Sequence, residues 1–319
     1  MKKIVSMFKI FMLIFCLNFI LFSDYSKASQ EFKIVLKIND TIITNKDIID
    51  EFNYLKSLNK DLDKISETEV LKIAKESLIR ENIKKDEIEK YIKIENFNRD
   101  KLMEGVIKNI YQRLNFQNIS EFQKYLETFD FSLTDVEKKL KIEVMWNQLI
   151  AEKFKNQIMI DENKIRKKVI DEKINYKNLI EYDLSEIVFS AKNTDELALK
   201  KDKIRKTIEN ISFETAANKF SISDTANFGG NIGKVNENQL SQLVKDELKK
   251  INSGEYTKVL NVGNNFMIIK INEKKFVDLK LNENEIVDRM VEIETQRQYE
   301  NFSLIYYNKI KLNSEINEL

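Results

Sequence analysis

Three of the chain's six glycines, Gly229, Gly230 and Gly233, fall inside one short stretch, "FSISDTANFGGNIGK". Glycine reaches backbone torsions that a Cβ resists, and it lets two backbones approach closely. A cluster like this dictates a tight turn and restricts the folds that can pass through it. A glycine-dense loop ending in Lys234 invites a phosphate-binding reading, but the spacing rejects it. The P-loop pattern G-x-x-x-x-G-K-[ST] does not fit, because only three residues separate Gly229 from Gly233 and Val235 follows the lysine. The dinucleotide fingerprint G-x-G-x-x-G cannot be laid over these glycines either. The turn serves some other fold.

The chain opens "MKKIVSMFKIFMLIFCLNFILFSDYSKASQ". Lys2, Lys3 and Lys9 precede an apolar run, Ile10 to Phe22, interrupted only by Asn18. Ser26-Lys27-Ala28 then offers small residues, so residues 1–28 read as a secretory signal peptide cleaved after Ala28, too short and wrongly flanked for a span. Cys16, the chain's one cysteine, lies within the apolar run. The exported chain therefore has no disulfide and no thiol chemistry. Its roughly 290 residues suffice to bury an ordinary core, and two structural units are expected.

Charge is high but balanced, with 53 basic against 52 acidic side chains. No basic patch stands out, so nucleic acid is not an expected partner, and with no nucleotide motif neither is a nucleotide. The sequence contains no histidine. That excludes a Ser-His-Asp triad, an imidazole acid or base, and an imidazole metal site. Zinc would have only carboxylates to bind it. No metal and no cofactor are expected.

Along the chain, Lys33 to Ile38 alternates apolar and polar, Asn39-Asp40 supplies a turn and Thr41 to Ile43 returns, predicting a hairpin. Thr44 with Asp47 predicts a capped helix to about Ser57. Ser66 with Glu69 repeats the signal, ahead of a helix burying Val70, Ile73, Ala74, Ile79 and Ile83. Further helices are expected near 98–114, 120–128 and 134–156, the last capped by Thr134 with Glu137 and carrying Val136, Leu140, Val144 and Trp146. A shorter helix follows at Asp161 to Glu172. The pattern then changes at "EYDLSEIVFSA", a strand. Helices follow at 194–210 and 213–219, then the glycine loop, a helix at 239–250, and the strands "YTKVLNV" and "FMIIKI". From Asn282 a long helix buries Ile286, Met290, Ile293, Phe302 and Ile305. "NKIKLN", at Asn308–Asn313, alternates like a strand, and Lys309–Asn313 is expected to pair with Lys33–Ile38.

The second block resembles a parvulin-type peptidyl-prolyl isomerase. The resemblance rests on "LSEIVFS", "FSISDTANFGGNIGKV", "NSGEYTKVL" and "GNNFMIIKI". "KINDTIITNKDI" and "ESLIRENIKKDEIEKYI" look like the N-terminal module of SurA-type periplasmic chaperones. The resemblance implies an α+β chain with residues 29–175 as a helical N-terminal domain and 180–275 as the single parvulin-like domain. Residues 276–319 would return to the first domain as helix and strand. Implied partners are unfolded or extended polypeptides, outer-membrane β-barrel precursors above all, met in the periplasm.

Active parvulins carry two histidines and a cysteine or aspartate at positions that hold Glu186, Met267 and Ser223 here. The resemblance implies a proline pocket of Ile232, Leu240 and Val244, and a chaperone with a degenerate isomerase domain. The alternative is an active isomerase working without the usual histidines, since twisting an amide needs no covalent nucleophile. By themselves the residues read more plainly. Met267 is a packed strand residue, Ser223 a turn residue bonding its own loop, and Glu186 a solvent-facing strand residue.

Overall fold

Asn39, with φ at +48°, turns strand β1 (Ile34–Ile38) back into β2 (Thr41–Thr44). The structure, a computed structural model, describes residues 32–94, 100–171, 179–277 and 283–319. The expected signal peptide, with Cys16 and the cleavage site, lies outside the described residues. The chain divides into two units, Met1–Lys33 and Ile34–Leu319, and every described helix and strand belongs to the second.

Helix α1 (Asn45–Leu58) starts at Thr44, whose side chain forms the expected capping box with Asp47. α2 (Glu67–Glu89) is capped by Ser66, and all five residues of its expected inner face are buried. α3 (Asp100–Arg113), α4 (Ile119–Glu127), α5 (Leu133–Phe154) and α6 (Glu162–Asp171) complete the helical run. The cap of α5 is Ser132 with Asp135, not Thr134 with Glu137. Both pairs obey the same spacing, but Leu133 and Thr134 already lie inside the helix, so the earlier pair meets the open N–H groups.

An antiparallel sheet follows. β3 (Leu179–Phe189) leads into α7 (Thr194–Asn210) and α8 (Phe213–Phe220), and a short 3₁₀ turn at Asp224–Phe228 enters β4 (Asn231–Asn236). α9 is confined to Gln242–Leu248, capped by Ser241. Only Leu260–Val262 of the expected first strand forms β5, while β6 runs over Asn265–Val277. Upstream, Tyr256 makes a lone bridge to Lys270. The strand order is β4-β3-β6-β5. One sheet face packs Ile187, Phe189 and Ile268 on α7 and α8; the other packs Leu184, Ile269 and Ile271 on α9.

The last helix, α10 (Glu283–Leu312), absorbs the segment expected as a strand. Tyr306, Tyr307 and Ile310 keep a three-to-four-residue contact with the helical core, so burial continues the helix through "NKIKLN". Strand β7 forms later, at Ile316–Glu318, and pairs antiparallel with β1 in a sheet of order β2-β1-β7. Ile305, expected inside, is 65% exposed; Ser303, Tyr306 and Tyr307 are the buried side chains at this end of α10. Phe302 stacks on Phe154 with ring centroids 4.7 Å apart, and Trp146 stacks on Tyr306 at 5.9 Å. The fold is α+β. Among the described residues, no helix is long and apolar enough to cross a membrane.

Candidate functional site

The glycine loop runs beside β3. Gly229, at φ +66°, closes the 3₁₀ turn in the left-handed region. Gly230, at φ +78°, is pressed against the sheet: a Cβ there would lie 2.1 Å from the Glu186 carbonyl oxygen and 3.0 Å from the Ala217 Cβ. Its own carbonyl accepts a 2.7 Å bond from the Glu186 N–H. Close backbone approach is therefore what the glycines provide.

That approach delivers Ser223 to Glu186. The Ser223 hydroxyl donates to Glu186 Oε1 at 2.6 Å, and the Thr225 hydroxyl donates to the same oxygen at 3.1 Å. Ser221 fixes the loop's other end: its Oγ accepts from the Val188 N–H at 3.1 Å and from the Ser223 N–H at 3.3 Å. Glu186 is half-buried rather than solvent-facing. Burial raises its carboxyl above the usual range and the Glu300 and Asp224 carboxylates push the same way, against the pull of the two hydroxyls. Ser223 does cap its turn, as the residue alone suggests, but its hydroxyl also makes the strongest contact to Glu186.

Met267 lies opposite Val188, and Glu186 opposite Ile269, across the β3–β6 ladder. Glu186 and Met267 thus share one sheet face in neighbouring rows. Met267 and Leu240 pack against a buried apolar cluster that includes Val244, Leu248 and Ile269. Val244 is 6% exposed, which makes it core more than pocket wall, whereas Ile232 is 41% exposed and sits outside that cluster. The structure brings Glu186 to Ser223, and Met267 to Leu240 and Val244, and leaves Ile232 apart.

Sequence reasoning passed over Thr225, Asp224 and the helical residues beneath the loop, Arg80 and Lys84. A signal existed for Lys84. Ser77, Glu81, Lys84 and Ile88 continue the helical spacing of α2's inner face, where a lysine needs a partner. A further cleft, about 710 Å³, opens between α3 and α5, lined by Met103, Ile107, Tyr111 and Ile119 together with charged residues that include Glu104, Lys108 and Glu137. Among the described residues, no group of three or more acidic or cysteine side chains is placed to hold a metal ion.

Residues 180–273 match the Rotamase family, the PPIC-type PPIASE domain. No curated protein sequence matches the chain. Among solved structures, the chain is similar to a PpiC-type peptidyl-prolyl cis-trans isomerase domain, at 22% identity and TM-score 0.27, over 30% of this chain and 93% of that one. It is similar to the peptidylprolyl isomerase PrsA of Bacillus anthracis, at 20% identity and TM-score 0.32, over 76% and 98% of the two chains. It is also similar to a structure from work on two SurA-like chaperones of Campylobacter jejuni, at 15% identity and TM-score 0.33, over 90% and 98%. The chain carries a PPIC-type domain.

Proposed function

We propose that the protein is an exported, nucleotide-independent chaperone that binds unfolded or extended polypeptides, outer-membrane β-barrel precursors among them, in the periplasm. The domains of this reading are a helical module at 29–175, a parvulin-like domain at 180–275 and a returning segment at 276–319. The observation that carries it is the site itself. By resemblance, Glu186, Ser223 and Met267 stand where active parvulins carry histidines and a cysteine or aspartate, and here Glu186 and Ser223 bond each other. Isomerisation must lower a barrier of about 18–20 kcal/mol. A carboxylate near the substrate carbonyl opposes that if ionised, and Val244 is committed to the domain core, with Leu240 packed against it. What remains is a domain shape attached to a helical module with an apolar cleft, suited to holding chains.

The deciding measurement is aggregation of a denatured outer-membrane protein diluted from urea, followed by light scattering with and without the purified protein. Suppression near equimolar ratio supports the reading, and unchanged scattering overturns it. The second reading is an isomerase without histidines, favoured by the packing of both Leu240 and Met267 against one apolar cluster. It expects a faster proline-limited refolding phase that slows on Leu240→Ala or Ile232→Ala. A rate equal to the uncatalysed one rejects it.

A further inference from the structure

The loop Ser221–Phe228 has a second side, and it lies on the helical module. Arg80 of α2 donates to the Ser223 carbonyl at 3.3 Å and to the Ser221 carbonyl at 3.2 Å. Lys84, 0% exposed, bonds the Asp224 carboxylate and Glu143 of α5, each at 2.6 Å. Ser303 of α10 donates to the other Asp224 oxygen at 3.2 Å, and itself accepts from the Trp146 indole N–H at 2.8 Å. Asn59 donates to Asn218, which donates to the Ala226 carbonyl, both at 2.7 Å. At the far end, Phe228 packs on the helical core under the Arg113 guanidinium, 5.4 Å from the ring centroid.

Two properties of this contact point beyond domain packing. Its donors meet backbone carbonyls, a carboxylate and an aromatic ring, the features a bound peptide segment offers. Its satisfaction is also lopsided. Without the loop, Lys84 would keep Glu143 and Ser303 would keep Trp146, while Arg80 would lose both carbonyl acceptors and be left to seek others. With the loop in place, Arg113 Nη2 is buried without an acceptor. A buried unpaired donor costs stability, and withdrawal of the loop lets water reach it. A surface complementary to a peptide, whose buried lysine stays paired when vacant and whose arginine then lacks peptide carbonyls, is a binding surface with an internal occupant.

We propose that Arg80, Lys84, Arg113 and Ser303 form a polypeptide-binding surface that the loop Ser221–Phe228 occupies from within the chain. An incoming polypeptide with a carboxylate four residues ahead of an aromatic ring displaces it, as Asp224 precedes Phe228. The proposal rests on the polypeptide-binding reading and adds where, and to which chemistry, binding occurs. Displacement moves the PPIC-type domain off the module and uncovers the loop's own face.

The test uses the full chain with Cys16→Ser, Glu69→Cys and Lys219→Cys. Glu69 and Lys219 form an ion pair at the exposed rim of the same contact, and a short bismaleimide joins the cysteines and holds the loop down. The probe is the fluorescent octapeptide Ser-Ile-Ser-Asp-Thr-Ala-Asn-Phe. The expected result is binding to the open chain, at least about tenfold weaker after cross-linking and about tenfold weaker for the peptide with Asn replacing Asp. In Lys84→Met the two peptides should bind alike; the cross-linking comparison stands even if that variant fails to fold. If an unfolded outer-membrane protein binds the open and cross-linked chains equally, or binds while the octapeptide does not, the proposal falls and the chaperone reading stands. If neither ligand binds the open chain, both fall.

Discussion

Glu186 and Gly230 meet across a single backbone contact, and each makes a prediction. At Gly230 any side chain faces two penalties, a left-handed φ of +78° and a Cβ 2.1 Å from the Glu186 carbonyl oxygen. Gly230→Ala should destabilise the PPIC-type domain by about 2–4 kcal/mol, read from urea unfolding, whereas Gly233→Ala, with open space around its Cβ, should cost only the torsional strain. Equal costs at the two positions would contradict the close approach. Glu186 has its carboxyl pKa raised by burial, so the folded state holds its proton more tightly than the unfolded state. The resulting stability is complete below the ordinary carboxylate range and is lost as pH rises through the folded pKa. Glu186→Gln cannot ionise and keeps an oxygen for both hydroxyls. Its melting temperature should exceed that of the parent at pH 7.5, and the gap should shrink towards pH 4. A gap that is constant with pH would show that Glu186 titrates normally. The glycines announced their turn in the sequence because their chemistry is local. The Ser223–Glu186 bond did not, because two residues 37 positions apart meet only when a sheet and a loop align.

At the scale of elements, periodicity gave positions accurately wherever the signal was repeated over several turns, as in α2 and α5, and the caps of α1 and α2 formed at Thr44 and Ser66. Errors arose where two signals of equal form competed. Ser132-x-x-Asp135 and Thr134-x-x-Glu137 are both capping sequences, and only the first finds the N–H groups of α5 unpaired. Ser132→Ala should therefore cost about 1 kcal/mol, while Thr134→Ala should be near neutral, measured by thermal or urea unfolding. The reverse order would restore the later cap. The "NKIKLN" segment posed the same conflict between alternation and helical spacing. Alternation over a few residues is a weak signal, and the core contacts of Tyr306, Tyr307 and Ile310 decide for helix. The pairing partner of β1 then shifts downstream to Ile316–Glu318, where the Asn39 N–H donates to the Glu315 carbonyl at 2.9 Å and the Leu319 N–H to the Val35 carbonyl at 3.1 Å.

For the whole molecule, the helical module uses both ends of the described chain, and the PPIC-type domain sits between them in sequence. α10 contributes Tyr306 and Tyr307 to the same core as Leu36, Ile83 and Trp146, with Phe302 packed against it. Burial of one such side chain is worth about 1.5–3 kcal/mol, and several are lost together if the tail is removed. β7 matters in a different way. A two-stranded hairpin is marginal in water, and β7 supplies β1 with its third strand. The tail also carries Ser303, which holds the half-buried Asp224 and takes the Trp146 N–H. Truncation after residue 282 therefore removes core, sheet edge and interdomain contact at once. Its loss should unfold the module, by near-ultraviolet signals from Trp146 and by proteolysis of α2 and α5. The PPIC-type domain, with two apolar clusters of its own on the faces of its sheet, should persist as a protease-resistant fragment spanning about residues 180–273. Truncation after Asn313 is the finer test. It spares α10 and deletes only β7, so it should loosen the β1–β2 hairpin, seen as faster amide exchange at Leu36 and Ile38, and leave Trp146 packed. If both truncations melted like the full chain, the module would not depend on its distant end, and the closure of the two termini would be a contact without consequence.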